Sequence, residues 1–148
     1  TGEYHNNIIR NPSNPFYASQ ADICYYVKGN TNNQGGSVYD TQSATYYAGK
    51  YSYYPCASNS NLSFSSLKTQ IDNNKPVIAH LFPLNMDGEI GGMGHTEQIY
   101  GYSSSTTGSY LYYVETRDGD KIFEDYYDFL GGAITNSYGT LYWTKSNY

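Results

Sequence analysis

Twenty of the 148 residues are Tyr, and that one preference limits what the chain can bury. Each Tyr brings a large apolar ring whose hydroxyl must find a partner or reach water, so the expected core is aromatic with wet edges. Hydrophobic residues make up 39% and charged residues only 14%, the latter below the roughly 25% of an average soluble domain. Ser, Thr, Asn and Gly fill the space instead, which suggests an exported protein, secreted or held at a cell surface. The length suits one domain of about 100 to 150 residues around a single core, and residues 1–148 are read as one.

The net charge of −5 comes with no cluster of basic residues, so nucleic acid and anionic membrane are poor partners. The longest apolar stretch, Val77 to Leu84, includes His80 and Pro83 and is far short of the ~20 residues that span a bilayer. The start of the chain shows neither a basic n-region nor an apolar run, so no signal peptide is expected in it. Cys24 and Cys56 are the only cysteines. They allow one disulfide, and only Lys28, four residues beyond Cys24, supplies a nearby cation that would favour a thiolate. No CxxC or His-rich spacing occurs, so no zinc site and no cofactor are expected.

Along the chain, Asn11-Pro12 and Asn14-Pro15 keep the first residues out of regular structure. Ser19 then caps a short helix ending at Lys28 before Gly29, with Asp22 in its first turn and Ile23, Tyr26 and Val27 on one face. Asn30 to Gly36 reads as a loop and 40–48 as a helix. Ser63 caps a second clear helix, with Phe64, Leu67 and Ile71 on one stripe, ended by Asn73-Asn74-Lys75-Pro76. Val77 to Phe82 fits a buried strand. Thr96 to Tyr102 and Tyr110 to Glu115 read as antiparallel strands on either side of a Ser103–Ser109 loop. Arg117 to Asp120 is a turn, Lys121 to Phe123 continues a strand, and Thr140 to Thr144, with the only Trp at 143, closes the sheet. Helices first and a mostly antiparallel sheet afterwards predict an α+β architecture, with the N-terminal helices packed on the C-terminal sheet.

His95 follows Gly91-Gly-Met-Gly94 and starts an alternating strand. Small residues there let a backbone approach a ligand closely, which suits a general base. His80 reads as a core or pocket-lining residue and His5 as a solvated one. A catalytic imidazole needs a second group to fix its tautomer and stabilise its charged form. Pairing of the two strands about their loop gives index sums near 211 or 212, which sets Glu115 beside Thr96 or Glu97 and within reach of His95. Asp118, in the next turn, is the other candidate.

The run Leu62 to Ala79, then Gly94-His95 with Tyr100-Gly101-Tyr102, then Tyr112-Tyr-Val114 resembles the C-terminal half of bacterial papain-like cysteine peptidases, the staphopain-like and bacteriocin-leader-peptidase-like branches among them. Tyr127-Asp128-Phe129 resembles the segment that closes the sheet there. The resemblance implies a papain-like fold, a peptide or protein substrate, His95 as base and Glu115 as its orienting residue. The family's third residue is usually Asn or Asp, whereas this chain has Glu115-Thr116-Arg117-Asp118. Its nucleophile sits in a Gln-x-x-x-x-Cys-Trp type segment that this chain lacks. Thr1 to His5 resembles the end of that catalytic helix and Ala21 to Cys24 the segment after it, so the nucleophile, with the oxyanion-hole Gln, is expected on a segment preceding Thr1. Taken alone, these residues would then be unable to acylate. Two other readings stand beside this one: a catalytically inactive relative whose aromatic cleft binds a peptide or glycan, and an enzyme whose nucleophile is Cys24 or Cys56. In the peptidase reading His95→Ala abolishes hydrolysis by the completed protein with little change in melting temperature.

Overall fold

A computed structural model of the chain describes residues 20–32, 35–48, 54–92, 94–132, 134–136 and 139–148. The expectations for 1–19, the Ser19 cap and His5 among them, lie outside the described residues. Two compact units divide after Ala57, the first taking in Asn147 and the second comprising Ser58–Ser146 with Tyr148. Among the described residues no helix is long and apolar enough to cross a membrane.

The first unit holds α1 (Gln20–Lys28) and α2 (Val38–Ala48). The Gly29 amide donates to the Tyr25 carbonyl, which ends α1 where the sequence places its stop. The second helix begins two residues earlier than expected because Ser37 and Asp40 cap it reciprocally: Asp40 N donates to Ser37 Oγ at 3.2 Å and Ser37 N to Asp40 Oδ2 at 2.7 Å. Lys28 Nζ joins Asp40 Oδ2 at 2.8 Å, tying the two helices together.

The second unit is a layer of helix on sheet, and the chain is α+β as expected. Its elements are α3 (Phe64–Asp72), β2 (Val77–Pro83), β3 (His95–Ser105), β4 (Gly108–Glu115), β5 (Lys121–Asp125), α4 (Tyr126–Gly131), β6 (Ile134–Asn136) and β7 (Gly139–Asn147), with β1 (Ala57–Ser58) at the unit boundary. The sheet order is β1-β7-β2-β3-β4-β5, with β6 on β7, and the β2–β3, β3–β4, β4–β5 and β6–β7 pairs are antiparallel. The α3 helix starts where Ser63 accepts from the Ser66 amide, and its stripe seats Leu67 at 0% exposure in the core.

Two elements depart from expectation. Ser103–Ser109 is no loop: the strands continue, and the connection is a two-residue turn at 106–107 with Ser104 opposite Ser109. Backbone ladder bonds hold this extension, which side-chain polarity alone conceals. Tyr126–Gly131, which contains Tyr127-Asp128-Phe129, is a helix rather than a sheet-closing segment. Asp125 Oδ1 accepts from the Tyr127 and Asp128 amides and so supplies the N-cap. Gly132 ends it at φ 91°, a left-handed conformation that glycine adopts without strain.

The core is less aromatic than the composition predicts. Leu67, Val77, Ala79, Leu81, Ile99, Leu111 and Leu141 form it with Phe129, Trp143, Tyr113 and Tyr126, each large apolar side chain contributing about 1.5 to 3 kcal/mol by leaving water. Among the described residues only Tyr113 and Tyr126 are buried tyrosines, and both hydroxyls are matched. Tyr126 donates to the Leu62 carbonyl at 2.7 Å and Tyr113 to Glu124 Oε2 at 2.8 Å. Tyr112 and Phe123, by contrast, pack ring to ring in solvent, where a hydroxyl costs nothing.

Candidate active site

Three ionisable side chains meet at the end of the buried face of the sheet, and strand periodicity puts them there. Side chains two apart share a face, so His95, Glu97 and Ile99 of β3 point together. Across β2 they oppose Leu81, Ala79 and Val77, and across β4 Glu97 opposes Glu115. The pairing shifts by one residue between Ile99 and Gly101. Beyond that bulge the partners are Tyr102 with Leu111, whose continuation would set Glu115 opposite Gln98. The extra residue instead brings Glu115 opposite Glu97 and onto the face of His95.

Gly94 makes the approach to His95 possible. A Cβ at that position would lie 2.5 Å from the Phe82 ring and 2.8 Å from the Leu81 carbonyl oxygen, so only glycine lets the chain enter β3 along this path.

His95 Nε2 lies 2.5 Å from Glu115 Oε1 and 3.1 Å from Glu97 Oε1. Thr116 N donates to Glu97 Oε2 at 3.2 Å and Arg117 N to Glu115 Oε1 at 3.0 Å, so the backbone after β4 fixes both carboxylates. The Arg117 guanidinium stands 3.9 Å from Glu115 Oε2 and is largely solvated. Glu97 is fully buried, and its Oε1 has no hydrogen bond among the described residues. The ion-pair distance to His95 and the missing hydrogen bond agree if the charges face each other off the N–H axis. Among the described residues no hydrogen bond reaches His95 Nδ1, which leaves that ring nitrogen to act on another group.

The Glu97 carboxylate, and then Glu115, hold the His95 imidazole above its ordinary value, against burial. Burial itself pushes Glu97 up, with the nearby Glu115 charge adding to it and His95 opposing. Burial works against Glu115 too, but the Arg117 amide and His95 bring it below the usual carboxylate range. The two carboxylates are therefore driven apart by their surroundings, one deep and one fed by donors.

The structure brings His95 and Glu115 into contact. It keeps Asp118 exposed in its own turn, where Oδ1 accepts from the Asp120 amide at 3.2 Å. His80 is buried in β2. Cys24 and Cys56 are free thiols, half-buried and exposed respectively, and the unit Ser58–Ser146 contains no cysteine. Glu97 is the residue that sequence reasoning passed over. Its signal was present: it lies two residues after His95 and two before Ile99, and the predicted index sum names it as a possible neighbour of Glu115. Together the three residues also offer donor atoms within 4.8 Å of one another, a grouping that a search for Cys and His spacing does not find.

A family model described as Peptidase_C39 like family matches residues 6–142. No curated protein matches the chain.

Proposed function

The chain belongs to the Peptidase_C39 like family, which relates it to cysteine peptidases, and from that premise we propose that it supplies the base and orienting residue of a papain-like cysteine peptidase. The observation that carries the reading is the 2.5 Å contact of His95 Nε2 with Glu115 on a ring whose Nδ1 stays available. In the proposed reaction Nδ1 takes the proton of a cysteine thiol while Nε2–H remains on Glu115. The thiolate attacks a peptide carbonyl, the imidazolium returns the proton to the departing amine, and water then hydrolyses the acyl-enzyme. Glu115 orients the ring and stabilises its charged form, the role an Asp plays in a Ser-His-Asp triad.

The thiol comes from outside Ser58–Ser146, since that unit has none. A segment preceding Thr1 is the source we favour, because the residues around Cys24 resemble those that follow the catalytic helix of papain-like enzymes. The composition, poor in charge and rich in Tyr, Ser and Asn, supports an exported protein acting on peptides or proteins. A binding role has one observation in its favour: Tyr100, Tyr112 and Phe123 form a row of rings on three adjacent strands.

Labelling native material with a cysteine-peptidase epoxide, followed by mass spectrometry of every polypeptide present, tests the proposal. Label on a cysteine N-terminal to Thr1, lost in His95→Ala, is the expected result. Label on Cys24 or Cys56 would relocate the nucleophile, and no label on folded, complete protein would favour the binding role.

A further inference from the structure

Glu97 is oddly placed for an acidic residue. It sits on β3 between two paired strands, opposite Ala79 on one side and Glu115 on the other, with 0% exposure. Most carboxylates lie at the surface, and a buried one persists where it is paired. Its Oε2 has the Thr116 amide. Among the described residues, the only cationic group at hand for Oε1 is His95, 3.1 Å away. Among the described residues, the other titratable groups facing the cluster are Glu115 and Tyr113 on β4, Arg117 in the following turn, and Glu124 on β5, which is occupied by the Tyr113 hydroxyl. On β2 the opposing positions, Ala79 and Leu81, carry no charge.

A neutral imidazole would leave Glu97 beside a second carboxylate with no counter-charge. A protonated ring answers both anions at once. The two carboxylates are also anchored differently: Glu97 is held within the sheet and fully covered, whereas Glu115 ends its strand and is 12% exposed. Glu97 is thus the fixed member of the pair.

We infer that Glu97 is a positioning residue of the site: its buried carboxylate, set opposite Glu115 by the β3–β4 register, holds the Nε2 edge of His95 and stabilises the imidazolium over the neutral ring. The upward displacement of His95 agrees, with Glu97 its largest source. A shared divalent ion accounts for the cluster less well. Donors bound at about 2.0 to 2.2 Å to one ion stand about 3 Å apart at a right angle, whereas Nε2 and Glu115 Oε1 are 2.5 Å apart, a distance that fits a proton between them. The effect on the His95 proton stands independently of the peptidase reading, and its catalytic consequence rests on that reading.

The test is an NMR pH titration of the His95 ring in the 148-residue chain and in Glu97→Gln and Glu115→Gln. The midpoint is expected to fall in Glu97→Gln, a near-isosteric change that removes the charge. An unchanged midpoint in folded Glu97→Gln overturns the inference. Should that variant fail to fold, the Glu97 carboxyl carbon of the unsubstituted chain decides: an inflection at the His95 midpoint supports the coupling, and its absence overturns it. Zinc chloride at micromolar concentration that abolishes the His95 titration in the unsubstituted chain would also overturn it, by making the cluster a metal site. In the completed enzyme Glu97→Gln is expected to move the alkaline limb of kcat to lower pH with KM unchanged. A shifted midpoint together with no peptide cleavage by the completed, folded protein would leave the inference standing and remove the peptidase reading.

Discussion

Glu97 and His95 form a pair in which the anion is fully buried and the cation a quarter exposed, with 3.1 Å between Oε1 and Nε2. Removing the imidazole therefore does more than remove a base. His95→Ala strips Glu97 of its nearest cation, and stranding a buried polar group costs about 1 to 3 kcal/mol. The variant is expected to melt lower than the parent at neutral pH, unlike the nearly unchanged melting that the sequence suggests, and to regain part of the loss toward pH 5 as Glu97 takes up a proton. Adding Glu97→Gln should restore stability at neutral pH. Thermal denaturation of the three proteins at both pH values checks this.

Glu115 and Asp118 are separated by their contacts. In a completed, active enzyme Glu115→Ala is expected to lower kcat/KM by roughly 100-fold or more, because the ring loses its closest partner. Asp118→Asn, which touches only its own turn, should leave kcat/KM within about 2-fold. Equal losses would mean that the turn as a whole, rather than Glu115, orients the base.

Stability should peak in mildly acidic solution. Glu115 is displaced downward, so its contribution is present above the ordinary Glu value and lost as pH falls through its lower folded value. His95 is displaced upward, so its contribution is complete below the ordinary imidazole value of about 6.5 and lost as pH rises through its higher folded value. Glu97, raised by burial, likewise favours the fold less as pH climbs through its folded value. Glu115 and His95 together place the maximum between about pH 4.5 and 6.5, and Glu97 draws it toward the acid end of that window. Denaturant midpoints from pH 3 to 9 should trace it, and Glu97→Gln should alter the alkaline side.

Gly94→Ala is expected to displace the entry to β3. The new methyl would meet the Phe82 ring and the Leu81 carbonyl, and since backbone yields poorly the cost is about 1 to 3 kcal/mol. The His95–Glu115 contact should loosen with it, visible as a downward shift of the His95 titration midpoint.

Some of this was legible in the residues alone. The Ser63 cap with its Phe64, Leu67, Ile71 stripe declares α3, because both signals are local. The Glu115 pairing follows from counting across the hairpin. Glu97 was named as a neighbour but given no role, since an acidic residue in a strand reads as a surface group, and only the cover provided by the sheet makes it otherwise. The helix at Tyr126–Gly131 was hidden because its start depends on one Asp125 side chain reaching two amides, while its aromatic residues favour a strand. The tyrosines misled in the same way: composition counts rings, but each hydroxyl decides whether its ring is buried.

The bulge between Ile99 and Gly101 gives the site a dependence on parity. Deleting one residue there would remove the bulge and keep Glu97 opposite Glu115, whereas one residue added there would set Gln98 opposite Glu115 and turn His95 and Glu97 to the other face, although every side chain that makes the site would still be present. Paired deletions at the 106–107 end of the hairpin would shorten both strands and leave the faces as they are. Over generations of insertion and deletion, the stretch from His95 to Glu115 can then change in length at its tip by even steps, while a single residue gained near the bulge erases the site without touching one of its residues.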